Sequence, residues 1–329
     1  MSPSIQEVNR QIRSEALFVQ DVIQEVQRFI VGQNRLVQRL LIALLADGHL
    51  LIEGVPGLAK SLAVKTLAST IDADFKRIQF TPDLLPSDLI GTQIYYPATG
   101  EFKARLGPIF SNIILADEIN RASAKVQSAL LEAMEEKQVT IGDQTYPLGA
   151  PLLVLATQNP IEQEGTFPLP EAQLDRFMMK VQLVYPNKDE EREIMRRMGG
   201  EKPAPVQTIV HKETILAARE TIQTITVAEQ IEEYILNIIF ATRNPAEYGL
   251  EHLAPYIELG ASPRASLALV RAGRALAFMK GRGFVKPDDV KQLIPDILRH
   301  RILLSFEAQA QNITVEQVLN NILKRIEAP

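Results

Sequence analysis

The 329-residue chain contains no cysteine. Disulfides, thiolate-ligated zinc and a thiol nucleophile are therefore excluded from the start. Histidine is scarce too: His49, His211, His252 and His300 are the only four, and no two of them stand at metal-ligand spacing. Long apolar runs are also missing. The longest, Leu40 to Ala46, is far shorter than the roughly 20 residues that cross a bilayer. The opening stretch MSPSIQEVNRQIRSEALFVQ is polar from its first residues and lacks both the apolar segment and the small-residue cleavage site of an export signal, so a cytoplasmic location is expected. Nor is there an excess of basic residues. With 35 Lys and Arg against 40 Asp and Glu, the formal charge of -5 gives no global attraction to nucleic acid or anionic lipid, although a local basic groove is compatible with it.

What is present is ample apolar material, 46% of residues, in a chain whose length favours two domains over one. From Leu50 to about Pro186, short apolar runs alternate with helical patterns, as expected of a parallel sheet covered by helices. The core-strand candidates are Leu50 to Glu53, Phe75 to Phe80, Asn112 to Asp117, Leu152 to Thr157 and Met178 to Val184. Five strands with intervening helices imply a doubly wound α/β domain. The segments Gln138 to Leu148, turning at Gly142-Asp143, and Tyr95 to Ile109, turning at Ala98-Thr99-Gly100, read as hairpins. Ahead of the sheet, residues 4 to 29 carry one long amphipathic helix pattern that ends at Gly32.

After Pro186 the strand-like runs stop. Helical periodicity marks Asp189 to Met198, Lys212 to Ile222, Ala228 to Thr242, Pro263 to Lys280, Pro287 to Leu304 and Val315 to Ile326. The expected division is an α/β domain over residues 1–186 and an all-helical domain over residues 187–329, with Tyr185-Pro186-Asn187-Lys188 as the linker.

Residues 54 to 61 read GVPGLAKS between a strand pattern and a helix pattern. Gly54 and Gly57 flank a turn whose backbone N–H groups can converge on phosphate oxygens; Lys60 adds positive charge, and the Ser61 hydroxyl can ligate magnesium. A lysine in a helix's first turn faces the positive end of the macrodipole, a placement relieved when an anion sits between them. The general pattern has glycine where this chain has Ala59, a substitution that right-handed backbone at that position would tolerate. The nucleotide-binding set is then Gly54, Val55, Pro56, Gly57, Leu58, Ala59, Lys60, Ser61 and Leu62.

Some 60 residues on, the strand Ile113-Ile114-Leu115-Ala116 ends in Asp117 and Glu118. Strands of α/β sheets deliver their carboxyl ends to the ligand crevice, which would set these acids beside the phosphates. Asp117 can hold magnesium, and Glu118 can polarise a water attacking the γ-phosphate. The plainer alternative is that both acids merely open the next helix, where negative charge is favourable. The helix Ala122 to Glu136 places Val126, Ala129, Leu130, Ala133 and Met134 on one stripe, a core face.

Taken in order, GVPGLAKS, IILADEINRASAKVQSALLEAMEE, ATQNP and PLPEAQLDRF resemble the MoxR family of AAA+ ATPases, from about Val31 to the C-terminal helices. The resemblance implies a P-loop AAA+ domain with a five-stranded parallel sheet followed by an all-helical lid, with ATP and magnesium as ligands. It also implies a ring, usually hexameric, whose active sites lie between subunits, and a role in assembly or metal-cofactor insertion, often beside a partner with a von Willebrand factor A domain. Residue by residue, Asn159 resembles the sensor that orients water, and Arg176 resembles the finger that reaches a neighbour's γ-phosphate, with Arg121 the next candidate. Arg264, following Ser262 and Pro263 at a helix start, resembles the lid sensor. Val31 and Gly32 resemble the segment that brackets adenine. The two hairpins are expected to face the pore or partners, and His300 to be a surface or interface residue.

Two other functions compete. A nucleic-acid motor is disfavoured by the acidic total and by the absence of Lys and Arg between Gln138 and Leu148. A nucleotide-gated scaffold with little hydrolysis is disfavoured by the presence of Glu118, Asn159 and Arg176.

Overall fold

The structure, a computed structural model, describes residues 5–55, 57–159, 165–199 and 204–329. The chain forms two compact units. One comprises Phe18–Arg176 and Val181–Ala217; the other comprises Met1–Leu17, Phe177–Lys180 and Ala218–Pro329. The segment Val181–Ala217, which includes the expected linker, thus packs with the sheet.

The amino-terminal helix expected from residue 4 to 29 is two helices, α1 (Ile5–Glu15) and α2 (Leu17–Phe29), interrupted at Ala16; residue 4 lies outside the described residues. The apolar pattern runs through the break because each helix buries its own stripe: Ile12 in α1, and Val19, Val22 and Val26 in α2.

The sheet unit continues with α3 (Asn34–Leu45), β1 (Leu50–Glu53), α4 (Lys60–Thr70), β2 (Phe75–Gln79), α5 (Pro86–Ile90), β3 (Gly91–Tyr96), β4 (Glu101–Leu106) and β5 (Ile113–Asp117). Then come α6 (Ala124–Glu136), β6 (Gln138–Ile141), β7 (Gln144–Pro147), β8 (Leu153–Gln158), α7 (Glu171–Leu174), β9 (Met179–Gln182) and α8 (Lys188–Met198). Five strands form one sheet in the order β2-β5-β8-β1-β9. Its ladders β2–β5, β5–β8 and β8–β1 are parallel. The central strands β1, β5 and β8 are apolar and buried up to their last one or two residues, as expected of parallel strands covered on both faces. Each fully buried Leu or Ile in them contributes roughly 1.5–3 kcal/mol.

Strand β2 differs from the expected core strand. It is the sheet's edge, with Lys76, Arg77 and Gln79 exposed and Ile78 buried. Both hairpins are present, β6–β7 around Gly142-Asp143 and β3–β4 around residues 97–100. The second begins at Gly91, earlier than its sequence suggested. Gly91 sits at φ 102, where a Cβ would lie 2.2 Å from the Arg105 carbonyl oxygen, so only glycine permits the strands to close there.

Helix α9 (Lys212–Gln223) is followed by α10 (Glu229–Arg243), β10 (Ile257–Leu259), α11 (Pro263–Met279), α12 (Pro287–Leu298), β11 (Leu303–Leu304), α13 (Phe306–Ala310) and α14 (Val315–Arg325). The region is helical, with one addition: β10 and β11 pair as a short antiparallel ribbon. Helix α12, expected to reach Leu304, therefore stops at Leu298. Beyond it, Arg299, His300 and Arg301 turn onto the backbone of Phe177–Lys180. Arg299 donates to the Lys180 carbonyl at 2.7 Å, Arg301 to those of Met178 and Phe177 at 3.1 and 2.8 Å, and His300 Nε2 to that of Phe177 at 3.0 Å.

His300 is consequently buried, not the surface or interface residue expected from its charged neighbours. Its Nδ1 has no hydrogen-bond partner among the described residues, and burial, reinforced by Arg301, holds its pKa well below the ordinary value. A histidine kept neutral in the fold adds stability that is complete above about pH 6.5 and is lost as pH falls below it, by at most about 1.4 kcal/mol per pH unit. His300→Gln, which keeps a donor for the Phe177 carbonyl, is expected to flatten the dependence of Tm on pH between 6.5 and 5. Unchanged slopes in the two proteins would show that His300 protonation costs the fold nothing.

Candidate active site

Strand β1 runs into the loop that precedes α4, and the loop's shape follows from three residues. Gly54 approaches the segment after β9 so closely that a Cβ would lie 3.0 Å from Leu183 Cβ. Gly57 adopts φ 87, and Ala59, the residue before α4, adopts φ 54 and ψ 22. Ala59 is therefore left-handed, not right-handed as its side chain suggested, which explains why the general pattern places glycine there. Pro56 lies outside the described residues.

No side chain caps α4. Its first N–H groups, those of Lys60, Ser61 and Leu62 among them, are left to a ligand or water, and the positive end of the helix dipole reinforces an anion there. Leu58, Ala59, Lys60, Ser61 and Leu62 line a cavity of about 800 Å³, as do Val31, Asp117, Glu118 and Asn159. Lys60 donates from Nζ to the Gly54 carbonyl at 2.9 Å, spanning its own loop. Burial lowers the Lys60 pKa, while Asp117 and Glu118 pull it back up. Those three charges leave one negative charge over, which the arginines beside the two acids meet.

The two acids are held by different partners. Asp117 Oδ1 accepts from the Thr157 hydroxyl at 2.6 Å, and its Oδ2 faces Arg77 Nη2 at 2.6 Å. Glu118 donates its backbone N–H to Thr157 Oγ1 at 2.9 Å, and its carboxylate meets Gln79 Nε2 at 2.8 Å and Arg121 Nε at 3.1 Å. Its backbone lies at φ 57 and ψ 50. Left-handed backbone at a non-glycine residue costs about 1–2 kcal/mol and recurs at functional positions. Asn159 follows β8 directly, and Thr157 is the last residue but one of the same strand, so one strand supplies both a cavity residue and the hydroxyl that joins the two acids.

Phe29, Ile30, Tyr185, Pro186 and Ile194 line the same cavity and, with Val31, give it apolar surface. Gly32 sits at φ 67 with Glu190 so near that a Cβ would lie 2.9 Å from its carboxylate. The expected linker is a capped helix start: Asn187 accepts from the N–H groups of Asp189 and Glu190 at 3.0 Å, which brings α8 over the cavity. From α8, Arg197 donates to the carbonyls of Gln27 and Arg28 at 3.0 and 3.1 Å, satisfying the end of α2.

The remaining arginine candidates are elsewhere. Arg176 does not line the cavity; its Nη1 lies 3.0 Å from the Leu131 carbonyl and 3.1 Å from Glu135 on α6. Arg121 pairs with Glu118 of its own chain. Arg264 belongs to the helical unit, exposed in the first turn of α11, with its N–H on the Ser262 cap.

Arg77, Gln79 and Thr157 escaped the sequence reading. The first two stand two residues apart on β2 and so share a face, a signal that becomes legible only once β2 is an edge strand. Thr157 is the first polar residue of an otherwise apolar run, which alone marks it.

A parallel sheet whose first loop carries Lys60 and Ser61, with two acids at an adjacent strand end, defines a P-loop nucleotide-binding ATPase domain. Residues 49–179 match the profile of the ATPase family associated with various cellular activities, and residues 251–322 match that of the AAA lid domain. The chain is 49% identical over 318 residues to the chaperone MoxR1 of Mycobacterium tuberculosis, spanning 97% of this chain and 84% of that protein. It is 46% identical over 310 residues to the uncharacterized protein YeaC of Bacillus subtilis, 93% of each. A crystal structure of a candidate ATPase from Cytophaga hutchinsonii superposes with a TM-score of 0.91 at 54% identity, covering 98% of each chain. The chain belongs to the MoxR family of AAA+ ATPases.

Replacing Ala59 by glycine removes the left-handed strain, about 1–2 kcal/mol, but adds freedom to the unfolded chain, about 0.4–1 kcal/mol. The expected net effect is a stabilisation of about 0.5–1 kcal/mol, read as a small rise in Tm of the nucleotide-free protein. A fall in Tm would mean that residue 59 is not left-handed in solution.

Proposed function

We propose that this chain hydrolyses ATP to ADP and phosphate with magnesium, in a site completed by a neighbouring subunit of a ring, and uses the cycle to remodel or assemble a partner protein. The observation that carries the reading is that Asp117 and Glu118 line the same cavity as Lys60 and Ser61. The donors suit a hard cation: the Ser61 hydroxyl and the Asp117 carboxylate are oxygen ligands of the kind magnesium takes beside phosphates. Bound there, magnesium would neutralise charge on the triphosphate. Lys60 leaves its loop carbonyl for the phosphates, the α4 N–H groups and those of Gly57, Leu58 and Ala59 hold their oxygens, and Val31, Gly32 and Ile30 bracket the base. Glu118 takes the proton side of the attacking water, and Asn159 orients that water with an amide that both donates and accepts.

Arg176 is proposed to act in trans. Its guanidinium is engaged on α6 of its own subunit and does not line its own cavity. Arg121 is the alternative, although it already neutralises Glu118. Arg264 is proposed as the lid's phosphate sensor. The functional division is proposed at Pro186, with residues 1–186 as the nucleotide domain and 187–329 as the lid, although α8 packs with the sheet unit.

The chaperone reading comes from the similar Mycobacterium protein, whose name states it. The ring is proposed as a hexamer, the partner as a client protein or a von Willebrand factor A domain protein, and the compartment as the cytoplasm, where ATP is the fuel. No described helix is long and apolar enough to cross a membrane.

A steady-state ATPase assay across protein concentration tests the shared site. Activity per subunit is expected to rise with assembly. Lys60→Ala loses nucleotide binding, Glu118→Gln loses about 10²-fold or more in turnover, and Arg176→Ala about 10³-fold. Mixing Glu118→Gln with Arg176→Ala subunits should restore partial turnover, since some interfaces then hold both intact residues. Full activity in a dilute monomer sinks the shared-site model.

A further inference from the structure

Arg77 is a cavity cation that the phosphate loop and the other arginines leave unexplained. It projects from the edge strand β2, half exposed, and sets two N–H groups on a single oxygen of Asp117: Nη2 at 2.6 Å and Nε at 3.0 Å from Oδ2. The opposite oxygen, Oδ1, accepts the buried Thr157 hydroxyl at 2.6 Å. Both oxygens of the carboxylate are thereby engaged within the chain, one by an inaccessible strand residue and the other by a long, half-solvated side chain. Arg77 Nη2 also donates to Gln79 Oε1 at 3.0 Å, and Gln79 Nε2 donates to Glu118 at 2.8 Å, so the guanidinium, the amide and the two acids form one connected chain.

We propose that Arg77 is the built-in counter-ion of Asp117, and that a divalent cation must displace it from Oδ2, so that metal binding and the Arg77 ion pair exclude one another. The proposal rests on the reading of Asp117 as a metal-binding residue. Its physical basis is charge compensation. A bare Asp117 beside a triphosphate would repel it, and Arg77 cancels that charge while no cation does. A dication repels the guanidinium and needs the lone pairs that the two N–H groups occupy. The exchange is easy because a half-exposed pair binds weakly and its arginine can be rehydrated. The Thr157 hydroxyl stays on Oδ1 and keeps the carboxylate aimed while its partner changes.

Arg77 is in this view a positioning residue, and removing it has opposite effects on two binding equilibria. Binding of methylanthraniloyl-ATP, followed by fluorescence, would be measured in EDTA and across a Mg²⁺ titration for the wild type, Arg77→Ala, Arg77→Lys and Asp117→Asn; Mn²⁺ binding would be followed by EPR. Arg77→Ala is expected to weaken metal-free nucleotide binding about 3-fold and to lower the half-saturating Mg²⁺ and Mn²⁺ concentrations about 3- to 5-fold. Arg77→Lys, which keeps the charge but not the paired N–H groups, should fall between. If Asp117→Asn weakens metal binding while Arg77→Ala leaves it unchanged or weakens it, the counter-ion proposal is overturned and the metal reading of Asp117 stands. If Asp117→Asn leaves metal binding intact, that reading fails and takes the proposal with it.

Discussion

The parallel backbone ladder that joins β1, β8 and β5 is the interaction on which the rest of the site depends. In its register Leu51 faces Ala156, Ala156 faces Ala116, and on the far side of β5 Asp117 faces Gln79. Parallel pairing makes these strands finish at one edge, so the phosphate loop, the two acids, Thr157 and Asn159 emerge together although more than 100 residues separate the first from the last. The ladder is buried, and this permits it to be built from apolar residues until its last one or two positions. Polar chemistry begins where the hydrocarbon stops.

At that edge the charges are arranged to compensate one another. Lys60 is half-buried and would shed its proton more readily but for Asp117 and Glu118; Asp117 is paired by Arg77, Glu118 by Arg121 and Gln79. Thr157 is the hinge of this arrangement, since its single hydroxyl accepts from the Glu118 backbone and donates to the Asp117 side chain. Two residues there, Ala59 and Glu118, hold left-handed backbone without being glycine. Such strain is retained only where surrounding structure fixes the chain, and both residues stand at a turn from strand to helix.

The helical unit solves a different problem with the same means. Arg299, His300 and Arg301 send four hydrogen bonds to the carbonyls of Phe177, Met178 and Lys180. Buried carbonyls must find donors, and a neutral histidine flanked by two arginines supplies them at the end of a helix that can go no further. Asp289, likewise buried, is paired by Arg282 and Lys280; burial alone would raise its pKa, but those hydrogen bonds bring it below the usual carboxylate range.

Much of this was determined by local sequence. The order of strands and helices, the phosphate loop, the acids after Ala116 and the hairpin at Gly142-Asp143 follow from periodicity, glycine placement and short-range motif chemistry, which one segment can express by itself. The family resemblance added Asn159, Arg176 and Arg264, whose types alone say little. What only the tertiary structure decided depends on neighbours remote in sequence. It made β2 an edge, which turned Arg77 and Gln79 toward the acids; it split the first helix at Ala16 because its halves serve different cores; it ended α12 at Leu298 and buried His300 against carbonyls some 120 residues away. A linear pattern records whether a side chain prefers water. It does not record which partner will replace that water, and at this site the partner determines what each charge can do.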